Sequence, residues 1–223
     1  MALSRTGARR RATPPTLVVL VRHGTTATTG KELPGRASGL HLSDAGQQQA
    51  KAAAARIAAL QDDKRKVTAV YASPLERTRE TAAPIADGLD VEVKIEQGLL
   101  EVDMGEWTGL TLAAARKKPE WRTIQRYPSS FRFPGGESFL EMQARMVATL
   151  EKLRADHPGE VVVAVSHADP IRVAVAHALG THLDLFQRIV VSPCSLTAVA
   201  LGDDGPTVLT VNSTDDSRAL IPQ

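Results

Sequence analysis

The apolar positions fall into two kinds of pattern that take turns along the chain. Leu17-Val18-Val19-Leu20-Val21 and Val161-Val162-Val163-Ala164-Val165 are unbroken runs rich in β-branched residues, which predicts strands buried on both faces. Shorter runs at 67–71 and 91–95 predict two more strands. The runs at 195–201 and 207–211, around Asp203-Asp204-Gly205, predict a closing hairpin. Between the strands the spacing is helical. Ala50, Ala53, Ala54, Ile57 and Leu60 follow a helix start at Ser43-Asp44, and this mostly alanine stripe lets the helix lie close to a sheet. The charged residues 62–66 form the return loop. Phe139, Met142, Met146, Leu150 and Leu153 form a second stripe, opened by Pro134-Gly135-Gly136-Glu137-Ser138 and stopped before Pro158-Gly159, and this is a core stripe. A further helix is expected at about 170–179, with Asp169 as N-cap and Pro170 in the first helical position. Residues 111–133 carry Trp121, Tyr127, Phe131 and Phe133 and predict two short helices at 111–118 and 119–126, a long connection by the standard of α/β units.

Composition narrows the class. With 223 residues, 43% hydrophobic and 23% charged, the chain can bury a sizeable core. Its net charge of +2 is unevenly spread: residues 1–15 hold Arg5, Arg9, Arg10 and Arg11 and no acid, so residues 16–223 carry −2. Residues 1–15 are therefore expected to be a basic disordered tail, 16–213 a single domain and 214–223 an irregular end. The body does not have the charge of a nucleic-acid-binding domain. No apolar core follows the N-terminal arginines before Pro14-Pro15, as a secretory signal requires, and no apolar run reaches the roughly eighteen residues of a membrane helix. Cys194 is the only cysteine, so no intrachain disulfide forms, which suits a cytoplasmic location.

The chemistry gathers where strands end. The first strand runs into Arg22-His23-Gly24, and in open α/β sheets ligands bind beyond the carboxyl ends of the strands. The second runs into Ser73-Pro74-Leu75-Glu76, a capping-box sequence with Ser73 as expected N-cap, which puts Arg77 in the first turns of a helix. An arginine there opposes the helix dipole unless it faces an anion. The third strand precedes a segment with three carboxylates, Glu101, Asp103 and Glu106, of which one can serve as a general acid. The fourth ends in Ser166-His167. Two arginines and two histidines at one sheet edge make an anion site, and a tetrahedral phosphate fits the forked guanidinium donors best.

These residues resemble the histidine phosphatase superfamily, which includes the cofactor-dependent phosphoglycerate mutases and their phosphatase relatives. The likeness lies in Leu20-Val21-Arg22-His23-Gly24-Thr25-Thr26, Tyr71-Ala72-Ser73-Pro74-Leu75-Glu76-Arg77, Leu100 to Trp107, Gly135-Gly136-Glu137-Ser138 and Val165-Ser166-His167, in order over about 17–212. The segments at Glu101-Val102-Asp103 and Phe133-Pro134-Gly135-Gly136 are most similar to an actinobacterial phosphomutase-like group. The expected fold is an α/β three-layer α/β/α sandwich with a mostly parallel central sheet and one antiparallel edge strand.

The resemblance implies the roles. His23 is the nucleophile that becomes a phosphohistidine. Arg22, Arg77 and His167 hold the phosphoryl oxygens, and Glu101 protonates the leaving oxygen and later deprotonates water. Thr29 stands where many members carry a phosphate-binding Asn, and Ala168 where they carry Gly; each is expected to keep a phosphate contact, through a hydroxyl and a backbone N–H. Arg36, in a Gly-Arg turn, is a candidate substrate contact. No metal and no cofactor are expected. The implied activity is hydrolysis of a small phosphorylated metabolite, with a mutase or a non-catalytic phospho-ligand-binding module as alternatives. No nucleic acid or membrane partner is expected, and a homodimer is left open.

Overall fold

The computed structural model describes residues 14–61 and 66–214. Most of the expected basic tail, most of the charged loop at 62–66 and nearly all of the C-terminal end lie outside these residues. Six strands form one sheet: β1 (Thr16–Arg22), β2 (Val67–Ala72), β3 (Val93–Ile95), β4 (Val161–Ser166), β5 (Leu196–Gly202) and β6 (Gly205–Ser213), in the order β3-β2-β4-β1-β5-β6. The first four in this order are parallel, and β5 runs antiparallel to both β1 and β6. The strand that opposes the rest thus sits one place in from the edge, and its hairpin partner β6 forms the edge.

Alternation along the strands builds two cores. Val19, Val21, Val70, Ala72, Val163 and Val165 face one side, against Ile57 of α1 (Asp44–Ala58) and Ala82, Ile85 and Ala86 of α2 (Glu76–Asp87). Val18, Leu20, Tyr71, Val162 and Ala164 face the other, where two helices cover them. After the short α3 (Leu112–Ala115) and α4 (Trp121–Arg126), those two are α5 (Phe139–Asp156) and α6 (Ala168–Ala178). Both faces are buried, as the unbroken valine runs require; each fully buried Val or Leu contributes about 1.5–3 kcal/mol. This is the three-layer arrangement expected. Trp107, Phe131, Phe133 and Phe139 interlock edge-on or tilted at centroid distances of 5.0 to 6.3 Å, which fixes the long connection against α5.

Two helix starts differ from expectation. α2 begins at Glu76 with Leu75 as N-cap and no side-chain cap, so Ser73 is not the cap; Thr78 instead bonds back to the Ser73 and Leu75 carbonyls. α6 begins at Ala168 with His167 as N-cap, and Asp169 lies inside the first turn, paired with Arg172. In both cases the side chain read as a cap has a partner elsewhere. Ser138, by contrast, forms a full capping box with Glu141 at the start of α5.

The register positions the site. Arg22 of β1 pairs with Ser166 of β4, so His23 and His167 leave neighbouring parallel strands side by side. The His23 N–H donates to the Ser166 carbonyl at 3.0 Å, which holds the two exits together.

Candidate active site

His23 follows directly on β1 and is 7% exposed. Its Nδ1 lies 2.7 Å from the Gly24 carbonyl oxygen. A carbonyl only accepts, so Nδ1 carries the proton and Nε2 keeps its lone pair. Burial, then the charges of Arg77 and Arg22, push the imidazole down to about 3, so the ring is neutral at neutral pH. The loop that holds it depends on a close backbone approach. A Cβ on Gly24 would stand 2.6 Å from the Gly46 carbonyl oxygen, and one on Gly46 would stand 2.1 Å from that of Thr25. The start of α1 can therefore press against the His23 loop, and the Gly24 N–H also reaches Thr81 Oγ1 at 3.1 Å.

The His167 ring centroid is 5.2 Å from that of His23. His167 is fully buried; its Nε2 pairs with Ser73 Oγ at 2.9 Å, while Nδ1 has no hydrogen-bond partner. If Ser73 donates, Nδ1 bears the proton and is an uncommitted donor. Burial and then Arg77 hold this imidazole well below its ordinary range. Arg77 is also fully buried. Its Nη2 donates to the Gly35 carbonyl at 2.8 Å, leaving Nε and Nη1 without partners. Arg22 donates from Nη1 to the Val191 carbonyl at 2.7 Å, and its buried Nε is likewise without a partner. Burial lowers the pKa of both guanidiniums. Buried donors are normally satisfied, and each exception needs a reason.

Glu101 follows the 3-10 turn Gln97–Leu99, which Ser166 Oγ tethers through the Leu99 carbonyl at 2.7 Å. It is 8% exposed, and Oε1 accepts the Val102 N–H at 2.9 Å. Burial, and then the charge of Asp169, raise its carboxyl to about 7. It is therefore a carboxylic acid able to hold a proton near neutral pH.

Of the other expected site residues, Thr29 turns back into its own loop, where its hydroxyl accepts the Thr26 N–H at 2.9 Å. Ala168 is the first residue of α6, so its N–H is one of the helix's free terminal donors. Arg36 is drawn under Glu101: Nε donates to the Glu101 carbonyl at 2.8 Å and Nη2 to Glu137 Oε2 at 3.0 Å. Arg145 completes this frame, with Nε and Nη2 on Glu137 at 2.9 Å each and Nη1 on the carbonyls of Gly98 and Leu100. Sequence reasoning did not single out Arg145, Thr81, Gly46 or Ser73 as His167's partner. Gly46, a glycine just inside a predicted helix, was a legible signal of close approach. The others leave no local mark. Among the described residues, no group of three or more His, Cys, Asp or Glu is placed to hold a metal ion, and no helix is long and apolar enough to cross a membrane.

The chain is similar to known proteins in sequence and in fold. The family model of the histidine phosphatase superfamily, branch 1, matches residues 18–214. Phosphoserine phosphatase 1 of Hydrogenobacter thermophilus is 32% identical over 202 residues, covering 88% of this chain and 92% of its own. The bifunctional protein Rv2228c of Mycobacterium tuberculosis is also 32% identical over 202 residues, which cover 90% of this chain but 54% of that protein, so the chain spans about half the length of this relative. Mycobacterial glucosyl-3-phosphoglycerate phosphatase Rv2419c, solved in complex with VO3, superposes with a TM-score of 0.78 at 25% identity, over 89% of this chain and 99% of that one. The ordered motifs, the sheet order and these matches agree, and the chain belongs to branch 1 of the histidine phosphatase superfamily.

Proposed function

We propose that the protein is a metal-independent phosphatase that hydrolyses a small phosphomonoester through a phosphohistidine on His23. The observation that carries this is the set of four buried nitrogens without partners, Arg22 Nε, Arg77 Nε and Nη1 and His167 Nδ1, around a neutral imidazole. Such donors suit the oxygens of a phosphoryl group, and the charge of the two guanidiniums neutralises what accumulates on those oxygens in the transition state.

The first step is displacement at phosphorus. His23 Nε2 forms the N–P bond while the P–O bond to the leaving alcohol breaks, and Glu101 gives its proton to that oxygen. In the second step Glu101 takes a proton from water, whose oxygen attacks phosphorus as the N–P bond breaks, releasing inorganic phosphate and restoring neutral His23 and protonated Glu101. The Gly24 carbonyl, accepting from Nδ1–H, stabilises the positive charge that the imidazole ring gains when Nε2 bonds phosphorus. Arg36, Arg145 and Glu137 act as positioning residues through the backbone of 98–103. Thr29 acts through the turn at Thr26, and the Ala168 N–H contributes one further donor to the phosphoryl oxygens.

The test is phosphate release over a panel of phosphorylated metabolites, with the His23→Ala protein as blank. The expected result is at least one ester hydrolysed by the wild type, with loss of about 10⁴-fold or more in the variant. Equal rates in both proteins overturn the assignment.

A further inference from the structure

A cavity of about 290 Å³ reaches the start of α6, where Asp169 and Arg172 line it. That is the liquid volume of roughly ten water molecules, room for an organic body of about that many non-hydrogen atoms. Six of its ten lining residues are apolar, Leu33, Met104, Trp121, Ile124, Phe133 and Phe139, three of them aromatic. Its polar lining is Gln125, Gln187, Asp169 and Arg172. Asp169 links the cavity to the reaction: it lies two residues from His167 in the first turn of α6, and its charge acts on Glu101.

The charges of the lining cancel. Arg172 donates from Nη1 to Asp169 Oδ1 at 2.9 Å and from Nε to the Ile189 carbonyl at 2.9 Å. The basic residues of the long connection do not line the cavity. Arg132 pairs with Glu141, and Lys118 lies 5.3 Å from the centre of the Trp107 ring. A carboxylate entering here would lose its water against aromatic walls, meet Asp169, and find its one lining cation already paired. An apolar body gains from the same walls, and the two glutamines offer hydrogen bonds to an uncharged polar end.

We infer that this cavity receives the leaving group, that the preferred substrates are phosphomonoesters of uncharged, largely apolar or aromatic alcohols, and that Asp169 with its partner Arg172 sets the discrimination against carboxylate-bearing esters. This rests on the phosphatase reading above.

The test compares kcat/KM of the full chain for benzyl, hexyl and methyl phosphate and 3-phosphoglycerate, whose leaving groups are all primary alkoxides. Benzyl and hexyl phosphate are expected to exceed both methyl phosphate and 3-phosphoglycerate by about tenfold or more. Leu33→Trp, which fills the cavity, is expected to lower the benzyl-to-methyl ratio. Asp169→Asn, which releases Arg172, is expected to lower the benzyl-to-3-phosphoglycerate ratio by about tenfold, the effect of one new charge-assisted hydrogen bond. Equal efficiency for benzyl and methyl phosphate, or preference for 3-phosphoglycerate, overturns the cavity's role while leaving the phosphatase standing. An unchanged ratio in Asp169→Asn overturns the role of that pair. If no ester of this set or of the metabolite panel is hydrolysed, the phosphatase reading fails and the cavity's role with it.

Discussion

Two pairs of arginines flank Glu101, and they are used in opposite ways. Arg36 and Arg145 converge on one carboxylate, Glu137, and on the carbonyls of Gly98, Leu100 and Glu101. Arg77 is fully buried, and Arg22 and Arg77 each make one carbonyl bond, to Val191 and Gly35, while three of their buried nitrogens have no partner. The first pair is a closed ionic frame that fixes a backbone. The second is an open one whose uncommitted donors suit an anionic group. A protein that buries cations without carboxylates forgoes stability at that place, and function is the ordinary reason. The same contrast runs through the histidines. His157 has Tyr71 and Glu160 on its two nitrogens, whereas His167 has one nitrogen unpartnered beside the reacting ring.

Substitutions in the two pairs should separate cleanly. Arg77→Met keeps most of the volume and removes two uncommitted donors; it is expected to lower kcat/KM by about 10²–10³-fold, the loss typical of a transition-state donor. Thermal unfolding of the same variant should show unchanged or higher stability, because an unbalanced buried cation has gone. Glu137→Gln should do the reverse in kind. Leaving Arg36 and Arg145 without their shared charge is expected to cost about 3 kcal/mol, near the low end for breaking a buried pair because Glu137 retains some exposure. For a chain of this length that is about 6–12 °C in Tm. If Arg77→Met unfolds more easily than Glu137→Gln, the contrast is wrong.

A smaller effect tests the floor beneath His23. Gly46→Ala would gain about 1 kcal/mol of helix propensity, but its methyl has no room against the Thr25 carbonyl. A net loss of about 1–3 kcal/mol is expected from urea unfolding, as for other overpacked sites. A stabilised variant would show that the close approach does not constrain the loop.

The mildest perturbation is pH. In the proposed mechanism Glu101 gives a proton, and its carboxyl is raised to about 7, so kcat/KM should fall above about pH 7 by tenfold per unit. His23, lowered to about 3, stays neutral across this range and adds no limb near neutrality. Asp169 is among the causes that raise Glu101, so Asp169→Asn should move the alkaline limb to lower pH. A limb that stays in place or moves upward contradicts this electrostatic link.

The parts of this account that were legible in the sequence are those governed by local rules. Unbroken valine runs announced strands covered on both faces, and His23 and His167 were placed at strand ends because the runs stop there. Cap signals were legible only where the side chain had no stronger partner. Ser138 caps its helix, while Ser73, with equally suitable neighbours, pairs its hydroxyl with His167, 94 positions away. Asp169 likewise pairs with Arg172 inside the turn. The closed frame was invisible for the same reason. Arg36 meets Glu137 across 101 positions, and no local pattern distinguishes a surface arginine from one folded beneath a carboxyl group. Arg36, a candidate substrate contact from its Gly-Arg turn, proved to be part of that frame.

The central claim is that the phosphoryl group passes through His23. It is tested most directly by rapid acid-free quenching of the full chain with a ³²P-labelled phosphodonor. The account predicts a protein-bound label that is stable in alkali, labile in acid, mapped to His23 and absent from His23→Ala. Label that survives acid, or that forms equally in His23→Ala, would contradict it.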